Sequence, residues 1–119
     1  MYDHLTLKVR DLQASVRFYR RVLEPLGHAL ADSDETAAGI GPDGAPVFWL
    51  AAQPKDPARG IHIAFRAPDR AAVDAFHRAG LAAGGRDNGT PGLRLDYGPT
   101  YYAAFLFDLD GNNIEAVHR

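Results

Sequence analysis

Apolar and polar residues alternate at the start of the chain, as they do in a half-buried strand. The apolar positions of this strand are Leu5, Leu7 and Val9. His4 lies on its polar side. A helix is predicted next, because Asp11 can cap a first turn and apolar residues then recur at steps of four and three. The apolar stripe of this helix contains Leu12, Val16, Tyr19, Leu23 and Leu26.

The same pattern returns in the second half of the chain. Short strands are predicted near residues 29–30, 36–40 and 47–51. Residues 52–60 contain two prolines and a glycine and are predicted to form a connector. His62 then opens a second alternating strand, and Asp69 precedes a second helix, at the spacing that separates His4 from Asp11 in the first half. A strand, a cap, a helix and a histidine at one offset indicate a duplicated unit.

The last part of the chain is rich first in glycine and then in strand-forming residues. Residues 84–98 are predicted to form a mobile loop with one irregular strand at 93–97. Two regular strands follow at 101–107 and 113–118, and the Asp-Gly pair between them is typical of a hairpin turn. These elements predict an α+β fold in which paired βαβββ modules form a cupped mixed sheet.

The length and composition agree with one globular domain. The chain has 119 residues, of which 46% are hydrophobic and 24% charged. This balance excludes a disordered or fibrous protein, and the length suffices for one core. We therefore expect a single domain over residues 1–119, with repeat halves at about 1–52 and 60–119.

Charge and cysteine content narrow the chemistry. The net charge of −2 gives no field that attracts nucleic acid or an anionic membrane, so neither is expected as a partner. The chain has no cysteine, which excludes disulfides and thiolate chemistry and leaves nitrogen and oxygen ligands for any metal. It starts without a signal-peptide pattern and has no apolar run of the ~18 residues that span a membrane. A cytoplasmic location is expected.

Three side chains stand on the strand faces that point away from the helices: His4, His62 and Glu115. If the two halves curl together, these side chains converge inside the cup, where two imidazoles and one carboxylate can bind a divalent metal ion and leave positions open for substrate. A single histidine on a strand is more often an ordinary structural residue. The equivalent placement of two histidines in two repeats favours the metal site.

Other polar residues are weaker candidates. Tyr101 and Tyr102 alternate faces, so only one of these two candidate catalytic residues can enter the cup, and core packing is the alternative role for either. Arg66 shares a strand face with His62 and could bind an anionic substrate group, or it could extend into solvent. His28, His77 and His118 are expected to be structural.

Two stretches of the sequence resemble a known superfamily. The first is Asp11-Leu12-Gln13-Ala14-Ser15-Val16-Arg17-Phe18-Tyr19, and the second is Asp108-Leu109-Asp110-Gly111-Asn112-Asn113-Ile114-Glu115. With His4 and His62, they resemble the vicinal oxygen chelate superfamily, which contains glyoxalase I, extradiol dioxygenases, fosfomycin-modifying transferases and bleomycin-resistance proteins. The resemblance covers essentially the whole chain and implies its scaffold more strongly than any one reaction.

The resemblance also implies a ligand set. Metal-dependent members take ligands from the first, fourth, fifth and eighth strands, and the matching residues here are His4, His62 and Glu115. The candidate fourth strand, residues 47–51, has no carboxylate, which argues against glyoxalase I activity. The remaining set resembles that of extradiol dioxygenases and fosfomycin transferases. Trp49 would then serve as an apolar, substrate-binding wall.

Two functions of different classes follow from this resemblance. The first is a metal-dependent lyase, isomerase, dioxygenase or transferase that uses Fe, Mn, Ni or Zn and binds a small oxygen-bearing substrate. The alternative is a metal-independent ligand-binding protein of the bleomycin-resistance kind, which would bind a planar or cationic molecule. The resemblance also implies a homodimer.

Overall fold

A computed structural model describes all residues from 1 to 119. The strands are β1 (Leu5–Val9), β2 (Ala29–Ser33), β3 (Ala37–Gly41), β4 (Phe48–Ala52), β5 (His62–Arg66), β6 (Arg86–Leu93), β7 (Tyr102–Phe107) and β8 (Asn113–His118). The helices are α1 (Leu12–Leu23) and α2 (Arg70–Ala82), with short 3-10 turns at Glu24–Leu26 and Pro42–Gly44. Neither α-helix has the length and apolar character that crossing a membrane requires.

Both helices begin as the sequence predicts. The Asp11 carboxylate accepts a hydrogen bond from the Ala14 amide at 3.1 Å. The Asp69 carboxylate does the same for the Ala72 amide at 2.7 Å. Each aspartate satisfies a backbone donor that the first helical turn leaves free, and its charge suits the positive end of the helix dipole.

The strands form two sheets of the same topology. One has the order β1-β4-β3-β2 and the other β5-β8-β7-β6, with four strands each. In each sheet the strand before the helix pairs in parallel with the last strand of its module, and the remaining pairs are antiparallel. The predicted α+β class and the paired βαβββ modules are confirmed. The two modules contribute separate sheets that are not hydrogen-bonded into one.

The glycine-rich tract contains a strand that the sequence did not reveal. Residues 86–93 pair with β7, with two register irregularities at Asp87/Gly89 and Gly89/Gly92. The strand predicted at 93–97 is therefore wrong, since only Leu93 of that range is in β6. Pairing with β7 overrides the low strand propensity of this tract, because backbone hydrogen bonds need no particular side chains.

The helices cover one face of each sheet and meet in a shared core. Eighteen buried apolar residues from both modules form a single cluster. Phe48 of the first module packs edge to face on Phe65 of the second, with ring centroids 5.3 Å apart. Tyr19 of α1 reaches across and donates to the Asp108 carboxylate at 2.5 Å. The opposite faces of the sheets are left open, and the candidate site lies on one of them.

Candidate functional site

The open face of the second sheet carries the polar cluster. Ala64 of β5 and Phe105 of β7 both lie opposite Glu115 of β8 in the strand registers. Neighbours in register point to the same side of a sheet, so these residues share a face. Ile114 and Ala116, on either side of Glu115, point the other way into the core. The alternation of β8 thus turns Glu115 away from the helices.

Glu115 is a buried carboxylate with two side-chain partners. Its side chain is 3% exposed, and its Oε2 lies 3.1 Å from Nε2 of His62. Its Oε1 accepts a short hydrogen bond from the Tyr101 hydroxyl. A buried carboxylate requires such partners, because an unpaired charge away from water is very costly. A carboxylate has about four acceptor positions, so these two contacts leave capacity for a further donor.

The His62 ring is held by contacts on its edge and on its face. Nδ1 lies 3.1 Å from the carbonyl oxygen of Asn113, while Nε2 faces Glu115. Both neighbours are acceptors, so a proton on either ring nitrogen has a hydrogen-bond partner. The ring also stacks on Phe105, with centroids 6.3 Å apart and planes at 22°. This arrangement fixes the direction in which the imidazole points.

The phenol of Tyr101 is a weaker acid than an ordinary tyrosine. Burial, the hydrogen bond to Glu115 and the charge of Glu115 raise the pKa of Tyr101 to about 12. The Arg119 guanidinium lies 5.2 Å from the centre of the Tyr101 ring, and the Tyr97 ring packs edge-on at 5.2 Å. The phenol therefore stays protonated at neutral pH and acts as a hydrogen-bond donor.

A cavity of about 650 Å³ opens over this cluster. Besides Glu115, Tyr101 and His62, its lining includes Asp96, Tyr97, Phe105 and Arg119. The floor is thus a carboxylate surrounded by aromatic rings. This combination suits a flat ligand that brings a hydrogen-bond donor or a positive charge to the carboxylate.

His4 lies apart from the Glu115 cluster. Its Nδ1 pairs with the Asp3 carboxylate at 2.6 Å, and it makes no ion pair with Glu115. It does share a cleft of about 540 Å³ with His62. No group of three His, Cys, Asp or Glu side chains is arranged to hold a metal ion. The donors within one chain therefore do not fit a three-ligand metal centre, although the His62 and Glu115 pair is formed.

The structure separates the other candidates. Tyr102 lies on the face opposite Tyr101, and its hydroxyl donates to Asp74 of α2 at 2.6 Å. Tyr101 is thus the member of the pair that reaches Glu115. Arg66 lies on the same face as His62 but in a second cavity, of about 730 Å³. Trp49 lies on the open face of the first sheet, with ring atoms 3.0 Å from the position that a Cβ on Gly39 would take.

The three histidines expected to be structural make no contact with the site. Nε2 of His77 lies 2.8 Å from the Asp87 carboxylate. Nδ1 of His118 lies 3.1 Å from the carbonyl oxygen of Ala67. His28 lies in a cleft at the junction of the modules, where burial lowers its pKa, and its Nδ1 is buried without a partner.

Comparisons with known proteins agree with this architecture. The family model of the Glyoxalase/Bleomycin resistance protein/Dioxygenase superfamily matches residues 2–116. A glyoxalase/bleomycin resistance protein from Albidiferax ferrireducens is 31% identical and superposes with a TM-score of 0.86, over 100% of this chain and 98% of that one. This chain belongs to the glyoxalase/bleomycin resistance protein/dioxygenase superfamily.

More distant superfamily structures include bleomycin-related proteins. A bleomycin resistance determinant encoded on the transposon Tn5 is 21% identical, with a TM-score of 0.66 over 96% of this chain and 93% of that one. A bleomycin-binding protein solved with bleomycin is also 21% identical, with a TM-score of 0.64 over 96% of this chain and 94% of that one. At this identity the likeness shows a shared fold. No curated protein matches the chain.

The sequence analysis did not single out four residues that line the candidate site. Phe105 could have been found, because its parity along β7 places it on the face of Tyr101. Arg119 could also have been found. It lies just beyond β8, an even number of residues after Glu115, so the alternation of the strand places it on the same face as Glu115. Asp96 and Tyr97 carry no such signal. They lie in a turn after the irregular strand β6, and only the course of the backbone there places them at the cavity.

Proposed function

We propose that this superfamily member binds a small organic molecule on the open face of its second sheet without the help of a metal ion. The observation that carries the proposal is the buried Glu115 carboxylate, which lies in an aromatic-lined cavity with Tyr101 and His62 as its side-chain partners. The ligand would place a donor or cationic group against Glu115 and a flat apolar part against Phe105 and Tyr97.

The cost of burying Glu115 supports a binding role. Packing needs no carboxylate at this position, and an apolar residue would avoid the desolvation penalty of a buried charge. Ligand sites commonly combine apolar walls with a few such polar groups, which orient the bound molecule. The Tyr101 phenol and the His62 ring hold the carboxylate in one orientation before any ligand arrives.

The absence of a three-ligand cluster in the chain favours this function over metal chemistry. Binding of a small molecule also has a parallel among the structural relatives, since a bleomycin-binding protein of the same fold was solved with bleomycin. That protein is 21% identical to this chain, so it supports a ligand-binding role for the fold and does not identify the ligand of this chain.

The proposal can be tested with two probes, benzylamine and metal-free bleomycin, in buffer that contains EDTA. Both probes combine planar rings with positive charge. We expect at least one of them to shift, saturably, the backbone amide NMR signals of β5, β7 and β8. Glu115→Gln should weaken this binding about tenfold, because a charge-assisted hydrogen bond contributes about 1.5–3 kcal/mol.

Tyr102→Phe is the matched control, since the Tyr102 hydroxyl donates to Asp74 on the other face of the same strand. This variant should bind the probes as the wild type does. Binding that appears only after a divalent metal is added, and that EDTA abolishes, would contradict the proposal. So would shifts that remain unchanged in Glu115→Gln.

A metal-dependent enzyme is the second candidate. It is favoured by the contact between His62 and Glu115 and by the cleft that His62 shares with His4. A homodimer that brought His4 of a second copy to this pair would complete the predicted set of two histidines and one glutamate. Such a centre would use Fe, Mn, Ni or Zn to bind a small oxygen-bearing substrate in a lyase, dioxygenase or transferase reaction.

Metal content distinguishes this candidate from the first. The purified protein would be incubated with each of the four metals, desalted and measured by elemental analysis, and its oligomeric state would be measured by analytical ultracentrifugation. The metal-dependent enzyme predicts about one metal per chain in a dimer, and a sharp loss of metal in His62→Ala. If the wild type retains no metal, this candidate is excluded.

A further inference from the structure

A second cavity lies beside the Glu115 site and has the opposite charge. Its volume is about 730 Å³, and it adjoins the Glu115 cavity, because Tyr101 and Arg119 line both. The cationic side chains of this second cavity are Arg66 and Arg119, accompanied by His28 and His118. No aspartate or glutamate lines it. The Glu115 cavity, by contrast, contains Asp96 as well as Glu115.

Neither arginine forms an ion pair with an aspartate or glutamate. The ion pairs of the chain join His4 to Asp3, Arg10 to Asp110, His62 to Glu115 and His77 to Asp87. Arg66 and Arg119 therefore have no aspartate or glutamate carboxylate within 4.0 Å. The Arg119 guanidinium lies over the Tyr101 ring, 5.2 Å from its centre. Both guanidinium groups retain their capacity to bind an oxyanion.

The strand register sets the spacing between the two charges. Ala64 lies opposite Glu115 and Arg66 opposite Val117, so Arg66 is two residues further along the sheet than Glu115. Two residues of a strand correspond to about 7 Å. Arg119 lies two residues beyond Val117, with the same parity. A small molecule can therefore reach the carboxylate at one end and the guanidinium groups at the other.

We propose that the ligand of this face carries an acidic oxyanion group, a carboxylate or a phosphoryl group, which Arg66 and Arg119 bind while Glu115 receives its donor or cationic end. This inference rests on the proposed binding function and narrows its substrate class to small molecules with both kinds of group. Arginine is suited to this role because its planar donors match carboxylate and phosphoryl oxygens in pairs.

The experiment compares benzylamine with two acid-bearing probes, para-(aminomethyl)benzoate and para-(aminomethyl)phenylphosphonate, by calorimetry or NMR titration. At least one acid-bearing probe should bind about tenfold more tightly than benzylamine, and the better of the two identifies the preferred oxyanion. Arg66→Gln and Arg119→Gln should each remove most of this gain. Arg66→Gln should also leave benzylamine binding unchanged, because Arg66 does not line the Glu115 cavity. Arg78→Gln, on an exposed position of α2, is the matched control and should keep the gain.

The outcomes separate the two proposals. If benzylamine binds through Glu115 but the acid group adds nothing, or adds as much in both arginine variants as in the wild type, the inference is overturned and the binding function stands. If an acid-bearing probe binds and needs both arginines while benzylamine does not bind, anion recognition stands and the role of Glu115 fails. If none of these three probes binds, the inference fails, and the binding function fails with it when metal-free bleomycin does not bind either.

Discussion

At the scale of single residues, the site depends on a chain of side-chain contacts around Glu115. The Tyr101 phenol and the His62 imidazole both contact its carboxylate, and the Phe105 ring stacks on the imidazole. Face parity alone left Tyr101 and Tyr102 equivalent as candidates. The hydrogen bond to Glu115 distinguishes Tyr101, because only that hydroxyl lies on the open face.

The alkaline titration of Tyr101 tests this arrangement. Its pKa is raised from 10.0 to about 12, so the folded state holds the phenolic proton more tightly than the unfolded state. The resulting stabilisation is complete below pH 10.0 and is lost as the pH rises towards about 12. In a titration followed by phenolate absorbance, Tyr101→Phe should lose the step near pH 12.

Glu115→Gln should move that step towards lower pH, because the amide removes the negative charge that opposes phenolate formation. A step that persists unchanged in both variants would mean that another group titrates there.

At the scale of elements, β6 shows how a glycine-rich segment can support the site. Gly89 has φ of +152°, a conformation that residues with side chains rarely adopt. A Cβ on Gly89 would lie 2.9 Å from Cδ1 of Phe105. The Arg94 guanidinium lies 5.3 Å from the centre of the Phe105 ring, and Phe105 in turn stacks on His62. The irregular strand therefore leaves room for the ring that orients the imidazole.

Gly89→Ala should accordingly destabilise the protein and disturb His62. We expect a loss of about 1–3 kcal/mol in the free energy of unfolding, measured by urea denaturation, from the strained backbone alone. The clash with Phe105 should also shift the NMR signals of the His62 ring. Gly111→Ala is the control, because Gly111 has φ of +88° but no atom within 4 Å of its Cβ position. Gly111→Ala should lower the free energy of unfolding and leave the NMR signals of the His62 ring unchanged.

At the scale of the whole molecule, the two modules are joined by a mostly apolar core and by one buried polar link. The hydroxyl of Tyr19 donates to Asp108, whose carboxylate also accepts from the backbone amides of Asp110 and Asn112. Burial and the nearby Asp108 charge raise the pKa of Tyr19 well above 10.0, which keeps the phenol protonated. This link holds α1 against the turn between β7 and β8, and it thereby fixes the position of one module relative to the other.

Tyr19→Phe should therefore cost about 1–3 kcal/mol of unfolding free energy, because it removes a donor from a buried carboxylate. Urea denaturation at neutral pH measures this loss. Tyr102→Phe serves as the comparison, since the hydroxyl of Tyr102 binds Asp74 within one module and at a less buried position. Equal losses of unfolding free energy in the two variants would show that the hydrogen bond between the modules contributes no more to stability than one within a module.

The order of strands and helices was readable from the sequence because local signals encode it. Alternation in β1, β5 and β8, the helical stripe after Asp11 and the caps at Asp11 and Asp69 depend on neighbours only a few residues away. The same parity placed Glu115 and His62 on the open face. β6 was missed because its strand forms by pairing with β7 and has no period of its own.

Which of these side chains meet was decided only by the tertiary structure. Parity states which face a residue occupies, but the packing of the two modules sets the distance between faces. Within the second sheet, the pairing of β5 with β8 brought His62 to within 3.1 Å of Glu115. The docking of the modules left the His4 ring apart from this pair and in contact with Asp3. The tertiary structure also placed Arg66 and Arg119 around one cavity. Contacts between residues far apart in sequence depend on the whole core, because no local pattern records how two sheets are docked.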